Sequence, residues 1–418
     1  MRVLVVNSDL AANRGDRAIA AGLVTLIRDV LPGADITLVS QHAERDAAWF
    51  GTEVLAQGIH SLSPLGLVRL MRAARKADVV LWGGGELLKD YTNRLGVWYW
   101  AVKMRCVAWA NPRVIGVFQG IGRTEGASSR RLIAATVRRT RAFLTRDEQS
   151  KGLLESWGVP PGLVTASFDS AVYAAGVPDR ELPEGLTDLL PDRYAVVAPR
   201  RWFHYAQGGW LPHRWRRGSG TSRGGGGSRR AELLTQRLVA AIDALVESHG
   251  AVAVVPMHMD EDPAYAIELR ARAARPDRVV ALTADSLGPE DVRAVMAGAD
   301  VVVALRLHAG IVAMSAGVPT LTYYYVDKGR LFAGQAGASA YARPIERLLE
   351  ADALAELEGL VASVEADGAQ RDESAARLAD MRDRLREDFE AALAQAGVTT
   401  AAASPGERGA DETLGDGA

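Results

Sequence analysis

An arginine and a histidine two positions apart, Arg306 and His308, follow the continuous apolar run Val301–Leu305 and open a small-residue stretch that ends in Gly317-Val318-Pro319. A cation and an imidazole at the end of a buried strand, with a helix starting beside them, can hold a phosphate or a carboxylate. Burying Arg306 without an anion would be expensive; the plainer alternative is an Arg–carboxylate pair that holds the domains together. Asp327-Lys328, just past the next apolar run, adds charge to the same rim. Arg200 and Arg201 follow the run Tyr194–Ala198, precede Trp202 and have His204 nearby. They offer the same anion recognition, against the alternative of solvated surface arginines.

The first half of the chain has three more such points. Asn13-Arg14-Gly15-Asp16 opens a helix after the first apolar run, so Asn13 or Asp16 can cap it and Gly15 permits a ligand to approach. Gly83-Gly84-Gly85-Glu86 follows another run, with backbone N–H groups open to an anion or a sugar. Glu86 and Asp90 are four apart and would share one face of a helix, suited to sugar hydroxyls or to base work. Gln119-Gly120-Ile121-Gly122 ends a third run. Each of these also reads as an ordinary turn or cap. His258, followed by Asp260, Glu261 and Asp262, could hold a metal or form a solvated turn; the turn is preferred, and no metal is expected.

The elements that must position these residues alternate. Strands are expected at Arg2–Val6, Ile36–Val39, Asp78–Trp82, Val114–Phe118, Ala142–Thr145 and Leu163–Ala166. A second series is expected at Tyr194–Ala198, Ala251–Pro256, Val279–Leu282, Val301–Leu305 and Thr320–Tyr324, with helical periodicity between strands. That alternation predicts an α/β protein with two doubly wound parallel-sheet, Rossmann-like domains facing across a cleft, with ligands at the carboxyl ends of the strands. The boundaries fall at 1–178 for the first domain, 179–192 for a linker and 193–395 for the second domain. The last helix of the second domain is able to cross back to the first. Residues 216–230, rich in glycine and serine, and the tail 396–418 are expected to be disordered. Trp98, Tyr99, Trp100, Met104 and Trp109 form an aromatic helix with Lys103 and Arg105; core packing is the preferred reading, with part of it suited to a membrane interface or to an apolar acceptor.

Composition narrows the function classes. The chain has 418 residues and a formal net charge of -2, which leaves no chain-wide basic field for nucleic acid. Its single cysteine, Cys106, excludes a disulfide within the chain and a cysteine-based zinc site. The N-terminus lacks a signal-peptide pattern, and Arg306, His308 and Pro319 interrupt the best membrane-span candidate, so a cytoplasmic protein is expected. No P-loop, dinucleotide fingerprint or nucleophile elbow is present.

Taken in order, NRGDRAI at Asn13–Ile19, GGGELLKDYT at Gly83–Thr92, FQGIG at Phe118–Gly122, TRDEQSKGLLESWGV at Thr145–Val159 with the following Asp169, APRRW at Ala198–Trp202, VVPMHMDED at Val254–Asp262 and LRLHAGIVAMSAGVPTLTYYYVDK at Leu305–Lys328 resemble the polysaccharide pyruvyl transferase family. Arg123 and Arg201 stand where that family often has proline. The branch it looks most like acts on lipid-linked cell-wall precursor sugars. The resemblance implies a fold akin to GT-B glycosyltransferases. It implies transfer of a pyruvyl group from phosphoenolpyruvate to sugar hydroxyls as a cyclic ketal, with phosphate released and no cofactor. It assigns catalysis to His308, Arg306, Arg200 and Asp16. Substrate binding would fall to Asn13, Gly15, Gly84, Gly85, Glu86, Asp90, Gln119, Gly120, Arg201, His204, His258 and Lys328. Partners would be phosphoenolpyruvate and a sugar-containing acceptor, lipid-linked or not, met in the cytoplasm or at the inner face of the membrane; nucleic acid is not expected. Two other readings stay open: a GT-B glycosyltransferase using a sugar nucleotide, and a non-catalytic carbohydrate-binding protein.

Overall fold

Continuous runs of valine, leucine and isoleucine make strands that must be covered on both faces, and helices do this on two all-parallel sheets. The computed structural model describes residues 1–61, 63–90, 94–176, 182, 185–203 and 225–399. The first sheet contains β1 (Arg2–Val6), β2 (Asp35–Ser40), β3 (Glu53–Ala56), β4 (Val79–Leu88), β5 (Val114–Ile121), β6 (Ala142–Thr145) and β7 (Val164–Ala166), in the order 3-2-1-4-5-6-7. The second contains β8 (Ala195–Ala198), β9 (Val252–Val254), β10 (Val279–Ala281), β11 (Val301–Ala304), β12 (Thr320–Tyr324) and β13 (Ala342–Pro344), in the order 10-9-8-11-12-13. Each order reverses once, at β1/β4 and at β8/β11. The winding therefore changes sides there and leaves a crevice at the carboxyl ends. The two doubly wound domains read from the sequence are present. The short edge strands β3 and β13, of four and three residues, add to the sheets expected.

The helices are α1 (Arg14–Val30), α2 (Ala43–Phe50), α3 (Pro64–Lys76), α4 (Arg94–Ala110), α5 (Ala127–Val137), α6 (Glu148–Ser156), α7 (Gly225–His249), α8 (Asp262–Arg272), α9 (Pro289–Ala297), α10 (Leu307–Ser315), α11 (Asp327–Gln335), α12 (Ala353–Ala366) and α13 (Gly368–Gln395). The Asn13 side chain accepts from the Gly15 N–H and caps α1, and Ile19, Leu23, Leu26, Ile27 and Val30 turn inward. Within the segment expected to be disordered, 225–230 belongs to α7. Helix extension costs far less than nucleation, so a helix set by the apolar spacing after Ala231 runs back into the glycines. Residues 216–224 and 400–418 lie outside the described residues.

One apolar cluster runs through both domains. It joins Val3, Val5, Leu23 and Phe118 of the first to Ile311, Val312 and Val295 of the second. The final helix belongs to it. The Phe389 ring lies 6.4 Å from that of Phe118, and Gln395 donates to the Gly162 carbonyl. The segment assigned by sequence order to the second domain thus ends against the first sheet, over β5 and β6. On the opposite face of the first sheet, α3, α4 and α5 cover Val80, Trp82 and Phe143.

Candidate functional site

The start of α1 ties the two sheets together. Its preceding loop makes an antiparallel bridge to the second domain, with Arg14 N donating to Met257 O at 2.8 Å and Met259 N to Ala12 O at 2.7 Å. The buried Arg14 guanidinium donates to the carbonyls of Pro256, Leu282 and Ala284 at 2.9, 3.0 and 2.7 Å. Burial and the neighbouring Arg17 push its pKa down to about 10, still cationic at neutral pH. Asn13 and His258 face each other in this bridge, and Gly15 lies under His308: a Cβ there would stand 2.4 Å from the imidazole Nδ1.

His308, in the first turn of α10, reaches across to the first domain. Its Nε2 is 3.4 Å from Asp169 Oδ2, and the Arg146 Nη1 is 3.7 Å from the same oxygen. All three atoms are buried, and none has a hydrogen bond in good geometry. Asp169 and Arg146 sit just past the carboxyl ends of β7 and β6. Burial raises the Asp169 carboxyl, but His308 and Arg146 outweigh it and hold the group below the usual carboxylate range. Arg146 also donates to Glu86 at 3.1 Å, and Lys328 from the second domain stands 3.7 Å from the same Glu86 oxygen. Burial opposes ionisation of Glu86, yet Lys89, Lys328 and Arg146 hold it well below its ordinary value. A cleft lined by Arg146, Asp169, Leu307, Ile311, Lys328 and Gln335 opens beside this cluster. Asp16, in the first turn of α1, accepts from Asp9 N at 3.2 Å. Burial raises its pKa to about 6 against the opposing charge of His308.

The second group of cations lies at the ends of β8 and β11. Arg306 pairs with Asp262, which also accepts from Met257 N and His258 N at 3.1 and 2.8 Å, and Glu261 is 4.0 Å away. Its charge is therefore met by a carboxylate of its own domain, so the pair does not join the two domains as the alternative from sequence had it. Arg200 stacks over Trp202 and Tyr325, 5.4 and 4.9 Å from the ring centres, and its charge acts on Asp262 as well.

Several sequence-named residues are placed elsewhere. Gly83, Gly84 and Gly85 do not form an open loop. With φ of 131°, 88° and 76° they continue β4, which stays paired with β5 through an irregular register. Ile19 packs over Gly84, and the Gln119 side chain packs under Gly83, where it donates to Trp82 O at 2.7 Å. Gln119 is therefore buried structure. Glu86 lies on that strand, so it shares no helical face with Asp90, whose carboxylate instead accepts from Glu125 N and Gly126 N at 2.9 Å each and holds the entry to α5. Arg201 turns outward to Glu268 at 2.7 Å. His204 lies outside the described residues. Gly120 is overlain by the Arg146 guanidinium: a Cβ there would meet it at 2.4 Å. Asn13, Gly15, Asp16, Glu86, Gly120, Lys328 and His308 thus converge with Arg146 and Asp169. These last two were quoted only as parts of motifs, although each follows a parallel strand directly, the position that should have marked them. Among the described residues, no group of three or more His, Cys, Asp or Glu side chains could hold a metal ion.

Comparison with known proteins places the chain. The model of a family described as polysaccharide pyruvyl transferase matches residues 13–327. A search of curated proteins returns no match. Among solved structures, UDP-GlcNAc 2-epimerase from Neisseria meningitidis bound to UDP-GlcNAc superposes with a TM-score of 0.57 at 13% identity, covering 94% of this chain and 100% of that one. Anabaena HepE in complex with UDP and glucose gives 0.54 at 12%, covering 94% and 99%. A glycosyltransferase from Rickettsia africae gives 0.53 at 11%, covering 94% and 98%. These likenesses show the fold alone, a GT-B-like pair of parallel-sheet domains.

Proposed function

Since the chain belongs to the polysaccharide pyruvyl transferase family, we propose that it transfers the pyruvyl group of phosphoenolpyruvate to hydroxyls of a sugar-containing acceptor. The product is a cyclic ketal, and phosphate is released. The observation that carries this reading is the trio His308, Asp169 and Arg146, three buried polar groups from both domains whose facing atoms lack hydrogen bonds. Paired with one another across the domains, they gather charge at one buried point, where a ligand carrying phosphate and carboxylate can engage them.

In this scheme the donor's carboxylate and phosphate are held by Arg306 and Arg200, at adjacent strand ends. His308, kept beside the Asp169 carboxylate, gives a proton to the donor's methylene carbon. The cation this leaves at C2 is attacked by a sugar hydroxyl, whose proton passes to a base. Asp16 is suited to that base, since its raised pKa of about 6 lies near neutrality. Loss of phosphate and attack by a second hydroxyl, again with proton loss, close the ring. No metal or organic cofactor enters these steps. Glu86 and Asp90 drop out as acid or base because one is locked among cations and the other holds a loop.

The test is release of phosphate from phosphoenolpyruvate in the presence of nucleotide-linked and lipid-linked sugars, with mass spectrometry of the products. A sugar that gains a pyruvyl ketal supports the reading. Consumption of a sugar nucleotide with no use of phosphoenolpyruvate would replace it with glycosyl transfer, the activity named for the Rickettsia africae protein that shares the fold.

A further inference from the structure

The outer helical layer of the first domain has an unusual surface. Leu65 and Val68 on α3 are 71% and 41% exposed, and Trp98, Val102 and Trp109 on α4 are 51%, 50% and 78% exposed. On α4 these apolar residues recur at intervals of four and seven, with Arg94 one turn before them and Arg105 between Val102 and Trp109, so they lie on one stripe. On α3, Arg69, Arg72, Arg75 and Lys76 lie on the same outward face as Leu65 and Val68. The inward faces, with Leu70, Val97, Trp100 and Met104, are buried against the sheet. Helices α3 and α4 pack side by side, so the two outward faces adjoin.

The charge on this layer has one sign. Four exposed Lys and Arg in α3, two in α4 and two in α5 are accompanied by no Asp or Glu in any of the three helices; the third cation of α4, Lys103, is buried. The chain as a whole carries -2, so these cations are segregated here. Indole rings favour the headgroup level of a bilayer, and cations beside them favour anionic headgroups. A second copy of the chain is a poor occupant, because a two-fold contact would set this cationic face against itself. Among the described residues no helix is long and apolar enough to cross a membrane, so contact would be at the surface.

We propose that the outward faces of α3 and α4 dock on an anionic lipid surface. The layer flanks the site, since α4 begins eight residues after Glu86. An acceptor anchored in that surface would then lie beside the carboxyl ends of the first sheet. The docking itself does not depend on the donor chemistry.

Co-flotation of the full chain with phosphatidylcholine vesicles, with and without phosphatidylglycerol, tests it. Binding is expected only with the anionic lipid and is expected to weaken sharply as salt screens the surface charge. The double variants Trp98→Ser with Trp109→Ser, and Arg69→Glu with Arg72→Glu, should each bind about tenfold more weakly or worse, with unchanged melting temperatures. Both should release phosphate from phosphoenolpyruvate at the wild-type rate with a water-soluble acceptor, so a failure of docking and a failure of the pyruvyl-transfer reading give different results. Equal binding to neutral and anionic vesicles, or variants that float like wild type, would overturn the proposal. So would a dimer broken by the tryptophan changes in a chain that binds no vesicle.

Discussion

His308 is held by what lies around it more than by its own helix: Gly15 beneath, Asp169 beside and Arg146 beyond. Removing the ring by His308→Ala is expected to lower kcat by about 10²–10⁴-fold, the usual worth of a positioned acid, with little change in melting temperature. Asp169→Asn keeps the shape and removes the charge, so kcat should fall while KM for the donor holds; steady-state kinetics on both variants check this. Gly15→Ala should act through the same ring, displacing it and lowering kcat. Asp16 makes a prediction about stability. Its folded pKa of about 6 lies above the unfolded value near 3.8, so its contribution is fully present below 3.8 and is lost as pH rises through 6. In Asp16→Asn that loss is absent. Relative to wild type the variant should gain stability between pH 4 and pH 6, by up to about 3 kcal/mol, as read from paired denaturant titrations.

At the scale of elements, the carboxyl end of β4 sets where Glu86 points. Gly84→Ala would place a Cβ 2.5 Å from Ile19 Cγ2 at a φ of 88°. It is expected to cost about 1–3 kcal/mol and to lower activity further by moving Glu86 away from Arg146. Thermal melts of this variant alongside Ile19→Ala separate the clash from the backbone strain, since only the clash is relieved by the smaller partner. This tract also shows where sequence reading stops. Strand identity was legible at β1, β4, β5, β8 and β11, because a run such as Val301–Ala304 buried on both faces has no polar residue to dilute it. The glycines after Trp82, within β4, read as an open loop, since three in a row mark a turn in most settings. That they continue the strand depends on β5 running alongside with its own irregularity, including Phe118 at a φ of 52°, and on Ile19 arriving from α1. Those are contacts between distant segments. The same limit explains Asp90 and Gln119, whose types fitted a ligand site while their partners were local backbone. Arg306 and His308 were singled out by their strand-end position, while their partners Asp262 and Asp169 were not readable from spacing.

For the whole molecule, the two domains are joined by a polar tie laid over an apolar seam. Arg14→Met removes three hydrogen bonds and leaves the carbonyls of Pro256, Leu282 and Ala284 without this donor, at an expected cost of about 3 kcal/mol or more. Amide hydrogen exchange should rise at residues 256–259 and at the start of α1, while the interiors of both sheets stay protected. If exchange is unchanged there, the apolar seam alone fixes the domains.

The return of α13 to the first sheet has a consequence for how the protein is made. Phe118, buried against Phe389 in the finished molecule, emerges from the ribosome some 270 residues before that partner does. A nascent chain that has completed every strand of the first sheet still shows an uncovered apolar face over β5 and β6. The domain synthesised first is thus the one finished last, and throughout elongation that bare face is a landing place for a chaperone.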